Sequence, residues 1–548
     1  MVSPKADEIA IAERAIADQG RMRLMPSRTI RLLGACTIAC GGLASVQAAH
    51  AAIGDSAQQR LVVAFKGGAT TLDPIMRSET TTESWQRNIF DTLTIQNSKG
   101  KALPQVAVAW KTLSPHSWRL TLRAGVKFQN GTPMTADDVG QSILDAANNP
   151  KSQMREFVND VTGYKVVNPT TLDVTFSRPD PLFPTHLSNI PVMPEALIKK
   201  EGRAAFAAHP IGTGPYRFES WLAEDHLEMR AWKGYWGKPV AFKYVRLESI
   251  PNGATRLAAL VSGQVQIAEK INPEDFARVK NSGRAHITSL SGTRTMYLAM
   301  DAWRKTGSKG MAAGEKNPFL DTRVRKAVYE AIDVALLREK IFSGAATDAT
   351  QFMPPLEESF DPALKRFPYS LADARKLLAA AGYPHGFTVR LDATNDRYLE
   401  DSLVAQALAG MLQQVGITVK VNAIPKAVFF PQMNRGDFTM YLAGWGSVDP
   451  LSTWDSMFHC RNAKLGFGHV NREHYCSKPA DALMAKASSS FDDATRIKLE
   501  RQAYAIADRQ DIAYIPLYYQ NEIAGVSNAI VWNERPDGLI LVRQMQRK

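Results

Sequence analysis

The sequence predicts an α/β protein of two or three lobes, and three observations carry that reading. Helical and strand-like patterns alternate through the second half of the chain. At 548 residues, with 45% hydrophobic and 22% charged side chains, the chain is too long for one ordinary domain and has a soluble globular composition. No internal repeat, low-complexity linker or composition break separates the lobes. The chain is therefore expected to cross between them more than once, along strands that double as hinges.

The first fifty residues stand outside these lobes. The stretch RMRLMPSRTIRLLGACTIACGGLASVQAAHAA carries Arg21, Arg23, Arg28 and Arg31, an apolar run from Leu32 to Val46, and the small-residue pattern Ala49-His50-Ala51. That is an export signal, with cleavage after Ala51. The acidic segment MVSPKADEIAIAERAIADQG ahead of it is odd for such a signal, which points to a translation start at Met22 or Met25, the alternative being a long leader that begins at Met1. A lipid anchor at Cys36 is not expected, because most of the apolar run follows that cysteine. Beyond the signal no uninterrupted apolar run approaches the roughly 18 residues that span a bilayer, so the mature chain is read as exported and soluble. The formal net charge of +12 becomes +10 when residues 1–52 leave with six Lys/Arg and four Asp/Glu. These charges lack long blocks of one sign, which argues for a solvated basic surface and against a nucleic-acid groove.

The elements follow in order. RLVVAFKGG alternates like a strand and is stopped by paired glycines; TTLDP and the polar SETTTESW continue as turn, loop and helix. Trp118, Leu120 and Leu122 share one face of the next strand, Asn130-Gly131 makes a hairpin-like turn, and Thr135 with Asp138 forms a capping box. In NPFLDTRVRKAVYEAIDVALLREKIFSG, residues Val324, Val328, Ala331, Ile332 and Leu336 form one helical stripe that stops at Gly344. SLADARKLLAAAGYPHG has Ser370 as cap, Leu371, Ala374, Leu377 and Leu378 inward, and Gly382 as terminator. LVAQALAGMLQQVGITVKV is a helix ending at Gly416, then a strand.

Catalytic signatures are absent: there is no G-x-S-x-G elbow, no H-E-x-x-H and no P-loop. GTGPY at 212–216 lacks a third glycine and leads into a strand pattern, so it is a turn. Of four cysteines, Cys36 and Cys40 leave with the signal. Cys460 and Cys476 remain, as a disulfide, as metal ligands beside His459, His469 and His474, or as free thiols; the spacing fits no standard zinc pattern. Aromatic and polar residues gather at predicted strand ends in SETTTESW (78–85), NDRY (395–398) and GWGSVDP (444–450). Sites for small molecules use such groups, aromatic faces for contact area and polar atoms for orientation. Trp445, held between two glycines, is either a ligand wall or a piece of core.

SWRLTLRAGVKFQNGTPMTADDV resembles the signature of the peptide, opine and nickel class of solute-binding proteins of ABC importers, R-x-G-V-x-F-x-[DN]-G-x-P-x-T-A-x-D-V after a strand. The likeness continues in order through LDP (72–74), HPIGTGPYRFESW (209–221), AALVSGQVQI (258–267), NPFLDTRVRKAVYEAID (317–333), ARKLLAAAGYPHGF (374–387), QQVGITVKV (413–421) and YIPLYYQ (514–520). It covers essentially the whole mature chain and is strongest to dipeptide and oligopeptide binders. The resemblance implies a type II periplasmic binding protein fold, two α/β lobes around a cleft plus a third, smaller inserted lobe. The boundaries expected are 1–52 for the signal, 53–91 with 208–290 and 521–548 for lobe I, 92–207 for the inserted lobe II, and 291–520 for lobe III. A cysteine pair after the tryptophan loop is similar to one in the dipeptide-binding branch, which favours the Cys460–Cys476 disulfide.

The implied function is capture of a small peptide or peptide-like solute in the periplasm and delivery to an inner-membrane ABC permease, by a monomer without cofactor, metal or nucleic acid and without catalysis. Rival readings are a metal-chelate or haem carrier of the same fold and a secreted hydrolase. Peptide binders of the family place an aspartate three residues after the tryptophan, to meet the ligand's ammonium group; here that position is Val448, and Asp449 follows it. The expected site is Ser78, Glu79, Thr80 and Thr81, with Asn395, Arg397 and Tyr398, and with Trp445, Gly446 and Asp449, facing one another across the lobe boundary. For a peptide, Asp449 would answer the ammonium end and Arg397 the carboxylate end.

Overall fold

The structure, a computed structural model, describes residues 59–548 apart from 98, 307, 308, 313 and 448. The export signal and its alternatives lie outside the described residues. Among those described, no helix is long and apolar enough to cross a membrane.

One sheet of eleven strands runs through the protein. Its centre is a pair of long antiparallel strands, Ala285–Met300 and Tyr514–Ser527, paired from Ala285 opposite Ser527 to Ala299 opposite Tyr514 with register shifts after Ser291 and after Met296. On one side they are flanked by the mutually parallel set Met440–Gly446, Thr388–Thr394 and Thr418–Ile424. On the other side lie Ile267–Glu269, Arg60–Phe65 and Tyr244–Ser249, again parallel to one another, followed by the antiparallel strands His226–Ala231 and Tyr216–Leu222. The long pair thus belongs to both halves of the sheet, the crossing that the missing linkers implied.

Alternation in these strands fills a separate core on each face. Met296, Leu298 and Met300 join Met440 and Leu442 on one side; Tyr297 and Ala299 join Tyr441 and Ala443 on the other. Both faces are covered, which is why the strands read as continuous apolar runs. A second, four-stranded antiparallel sheet (Ala107–Ser114, Ser117–Leu122, Thr171–Phe176, Val161–Asn168) buries Trp118, Leu120 and Leu122 in the same core as Val139 and Ile143 of the helix Ala136–Asn148. That helix opens with the expected capping box: the Thr135 hydroxyl accepts from the Asp138 N–H, and the Asp138 carboxylate accepts from the Thr135 N–H.

One expectation is corrected. Residues 322–340 are two helices, Thr322–Glu330 and Val334–Lys340, and Leu336 is 45% exposed while Leu337 is buried. The Asp333 side chain accepts from the Leu336 N–H and caps a new helix, which resets the rotational phase and turns the stripe by one residue. Ser370 caps the helix Leu371–Ala380 as expected, with Ala374 and Leu378 buried and Leu371 and Leu377 partly so. The GTGPY turn packs its glycines on the backbone of Ile89, which leaves no room for a Cβ at Gly212 or Gly214.

Candidate functional site

The carboxyl ends of two parallel strand sets confront each other. Lys66 follows Arg60–Phe65 and Lys270 follows Ile267–Glu269; Lys426 follows Thr418–Ile424 on the opposite half. Burial first, then the charges of Lys270, Arg256 and Lys426, hold the Lys66 ammonium below its ordinary pKa, so the groups from both halves share one region. Ligands of open α/β sheets bind at such strand ends.

The stretch GWGSVDP lies here, and its two glycines have different reasons. A Cβ on Gly444 would stand 2.5 Å from Met296 Sδ and 2.9 Å from Tyr398 Cε1, so a larger residue there would push these side chains aside. Gly446 sits opposite Arg294, and a Cβ there would stand 3.6 Å from Arg294 Nη2. Trp445 between them pairs with Thr295 and turns to the other face of the sheet, half-buried on the core that holds Trp454 and Phe458. Its Nε1 donates to Thr453 Oγ1 at 3.2 Å.

Asp449 is buried, 2% exposed, and already engaged. It caps the turn Pro450–Thr453 by accepting from the Ser452 N–H at 2.8 Å. Its other oxygen meets His186 Nε2 at 3.2 Å, and His186 Nδ1 meets Asp180 at 2.9 Å. Burial disfavours charge on the imidazole, but Asp180 and Asp449 outweigh it and raise its pKa well above the usual histidine range. Burial likewise works against the Asp449 carboxylate, and the His186 hydrogen bond and charge with the Ser452 N–H still hold its pKa below the ordinary value. His186 is therefore an imidazolium donating to two carboxylates. Beside it the Glu357 carboxyl is pushed up to about 8 by burial, against a hydrogen bond from Ser447.

The remaining expected residues fall in two groups. Ser78, Glu79, Thr80 and Thr81 form the entry to the helix Thr80–Gln86, with Glu79 at the cap position, Ser78 N donating to Gln153 Oε1 at 2.8 Å, and Ser78, Glu79 and Thr80 exposed. Ser78 also lines an open recess of about 560 Å³ with Gln153, Arg155, Glu156 and Asn159. Burial raises the Glu156 carboxyl, a Ser78 hydrogen bond lowers it and the charge of Asp449 raises it, which sets Ser78 and Asp449 around the same acid. Asn395, Arg397 and Tyr398 follow Thr388–Thr394; the Arg397 and Tyr398 N–H groups both donate to Asp401 Oδ2 at 3.1 Å, and the Tyr398 hydroxyl donates to the Gly444 carbonyl at 3.2 Å. The structure thus joins Tyr398 to the glycine-flanked strand and Ser78 to the surroundings of Asp449. Among the described residues no hydrogen bond links segment 78–81 to segment 395–398.

His186 and Arg294 were not anticipated. His186 sits in a four-residue helix with no sequence signal. Arg294 had one: it interrupts the apolar alternation of AHITSLSGTRTMYLAM.

Cys460 and Cys476 are joined as a disulfide, so their sulfurs are not metal ligands. Among the described residues no group of three or more His, Cys, Asp or Glu is arranged to hold a metal ion. Closure of the 16-residue loop implies about 3 kcal/mol of stabilisation. Reduction should lower the melting temperature, and an unchanged transition under reducing conditions would contradict that contribution.

The glutathione-binding protein GsiB of Salmonella choleraesuis (strain SC-B67) is 27% identical over 508 residues, covering 89% of this chain and 94% of that protein. Among solved structures, the ABC transporter substrate-binding protein CtaP of Listeria monocytogenes superposes with a TM-score of 0.78 at 18% identity, over 89% of this chain and 99% of that one. The periplasmic binding protein DppA of Helicobacter pylori, in complex with the peptide STSA, gives 0.70 at 22%, over 89% and 98%. The fold is that of type II periplasmic binding proteins, two α/β lobes around a cleft with a smaller third lobe. Residues 101–464 match the family described as bacterial extracellular solute-binding proteins, family 5 Middle. The chain belongs to this family of solute-binding proteins.

Proposed function

We propose that the protein is the exported, periplasmic solute-binding component of an ABC importer. It captures a peptide or peptide-like solute between its lobes as a monomer, catalyses no reaction, and passes the solute to inner-membrane permease subunits. The observation that carries this reading is the confrontation of strand ends, with Lys66 and Lys270 on one side and Lys426, Tyr398 and Asp449 on the other. The relative named for glutathione binding and the neighbour holding a peptide support a peptide-like solute. Closure around it is a population shift, and the closed form docks on the permease.

Within this reading Asp449 is the ammonium anchor. It holds one cation already, the His186 imidazolium, and the ligand's ammonium group takes that cation's place. Trp445 serves as a wall at the strand end, and the residues 78–81 and 395–398 close the sides.

Mass spectrometry of solute released from the purified protein by denaturation tests the class: a peptide or peptide-like molecule is expected, and a metal chelate or haem would overturn it. Calorimetry with the released solute then tests the anchors. Asp449→Ala should cost roughly 2–5 kcal/mol of binding, since truncation leaves a buried ligand charge unpaired. Trp445→Ala should weaken binding with little loss of fold stability. Unchanged affinity in Asp449→Ala rejects the ammonium role, and a Trp445→Ala protein that unfolds makes the ring structural.

A further inference from the structure

Midway along the long strand pair the ladder is interrupted. Ser291 is opposite Asn521 and Arg294 is opposite Gln520, so Gly292 and Thr293 have no counterpart on the partner strand. A bulge of this kind re-aims the side chains beside it. Glycine is required at 292, where a Cβ would stand 2.8 Å from the Gln520 carbonyl oxygen. Thr293 instead accepts from the Ser447 N–H at 3.0 Å, which ties the bulge to the GWGSVDP stretch. Arg294, the first residue after the bulge, lies between Gly446 on one neighbouring strand and Gln520 on the other.

Arg294 is half-buried, yet among the described residues its guanidinium has neither a hydrogen-bond partner nor an ion pair. Its cross-strand partner Gln520 has a buried Oε1 without a hydrogen-bond partner among the described residues. The Arg294 guanidinium carbon lies 5.9 Å from the Tyr398 ring centroid, and that of Arg397 lies 5.7 Å from the same ring. Two arginines thus lie beside one aromatic ring, and among the described residues neither guanidinium is hydrogen-bonded to a carboxylate. The carboxylate whose charge reaches Arg294 is Glu522, which does not hydrogen-bond to it and which burial holds toward its neutral form. The Arg294 nitrogens are not among the fully buried polar atoms, so solvent reaches them and a ligand group can take that solvent's place. Here the missing partner is one that arrives.

We propose that Arg294 and Arg397, both beside the Tyr398 ring, form a subsite for a side-chain carboxylate of the solute, and that the cleft prefers acidic peptides. This rests on the peptide-binding reading and sharpens it. Arg294 is the principal anchor, fixed on a central strand, and Arg397, on an exposed loop, closes over the second oxygen in the forked geometry that guanidinium and carboxylate share. Gly446 keeps the approach clear, since any larger side chain there would project over the guanidinium. Lys66, Lys270 and Lys426 add a positive field at the same strand ends, which draws in anions and weakens with salt.

The test uses the full mature protein, freed of solute by denaturation and refolding, with free tripeptides to establish binding and pairs of carboxyl-terminally amidated tripeptides that differ only in Asp against Asn or Glu against Gln. Binding is measured by calorimetry at low and high salt. The acidic member of a pair should bind about tenfold tighter or more, and Arg294→Ala should remove that preference while leaving the neutral member within about threefold. Arg294→Lys, which keeps the charge and the strand packing but loses the fork, should retain part of the preference. Equal binding of acidic and neutral peptides by the natural protein, or a preference untouched in both variants, overturns the subsite and leaves the peptide reading standing. Failure of the natural protein to bind any tripeptide overturns the peptide reading, and this inference with it.

Discussion

Replacing Asp91 with alanine is expected to cost about 3–5 kcal/mol of stability, the scale on which removing one partner of a buried ion pair acts. Asp91 is fully buried and accepts from Arg543 Nη1 at 2.5 Å, Gln105 Nε2 at 2.7 Å, Trp236 Nε1 at 2.9 Å and Thr213 Oγ1 at 3.1 Å. Four distant segments of the chain therefore meet at one carboxylate, and truncation would leave the partly buried Arg543 with the Arg87 carbonyl and the Tyr235 hydroxyl but no counter-charge. The effect should reach the site. The segment carrying Arg543 also donates from Ile540 N to Ser84 Oγ and from Val542 N to Asn88 Oδ1, which holds the helix whose entry is Ser78 to Thr81. Chemical denaturation of Asp91→Ala checks this, and a loss below about 1 kcal/mol would mean that water replaces the carboxylate without strain.

His186→Ala should be comparably damaging, about 3–5 kcal/mol, because it leaves Asp449 buried and unpaired. The pH dependence has a definite sign. The folded-state pKa of His186 is raised, so its contribution is complete below the unfolded histidine value of about 6.5 and is lost as pH rises through the folded value. The pKa of Asp449 is lowered, so its contribution is complete above the unfolded value of about 3.9 and is lost as pH falls through the folded one. The pair is at full strength between those limits. Melting curves across pH should show an alkaline decline in the natural protein that is flatter in His186→Ala, and parallel declines would contradict the assignment. The same variant should bind a peptide with a free amino terminus more tightly, because no imidazolium has to be displaced from Asp449.

The sequence revealed what local chemistry determines. The Thr135 and Asp138 capping box, the buried face Trp118, Leu120 and Leu122, and the Ser370 cap rest on residues a few positions apart, and each is found. The disulfide was legible from two cysteines in an exported chain and from their likeness to a family pair. Leu336 was misplaced because periodicity does not register the restart that Asp333 imposes in the middle of the stripe. The site was legible only in part. Trp445, Tyr398 and Asp449 were singled out as candidates by their place at strand ends, but that Trp445 and Arg294 lie on opposite faces depends on strand pairing. His186 meets Asp449 across 263 residues, and no pattern along the chain encodes that meeting.

The interrupted ladder at Gly292 and Thr293 has a mechanical meaning. A sheet resists bending through its rungs, and the long pair that joins the two halves has its wider gap here, two residues against the single-residue shift after Met296. Flexure between the halves therefore concentrates where Arg294 stands, at the pivot and not at the rim. A solute that bonds to Arg294 does more than fill space: it braces the softest point of the beam, so that occupancy is felt as stiffness by everything the two halves carry at their far ends.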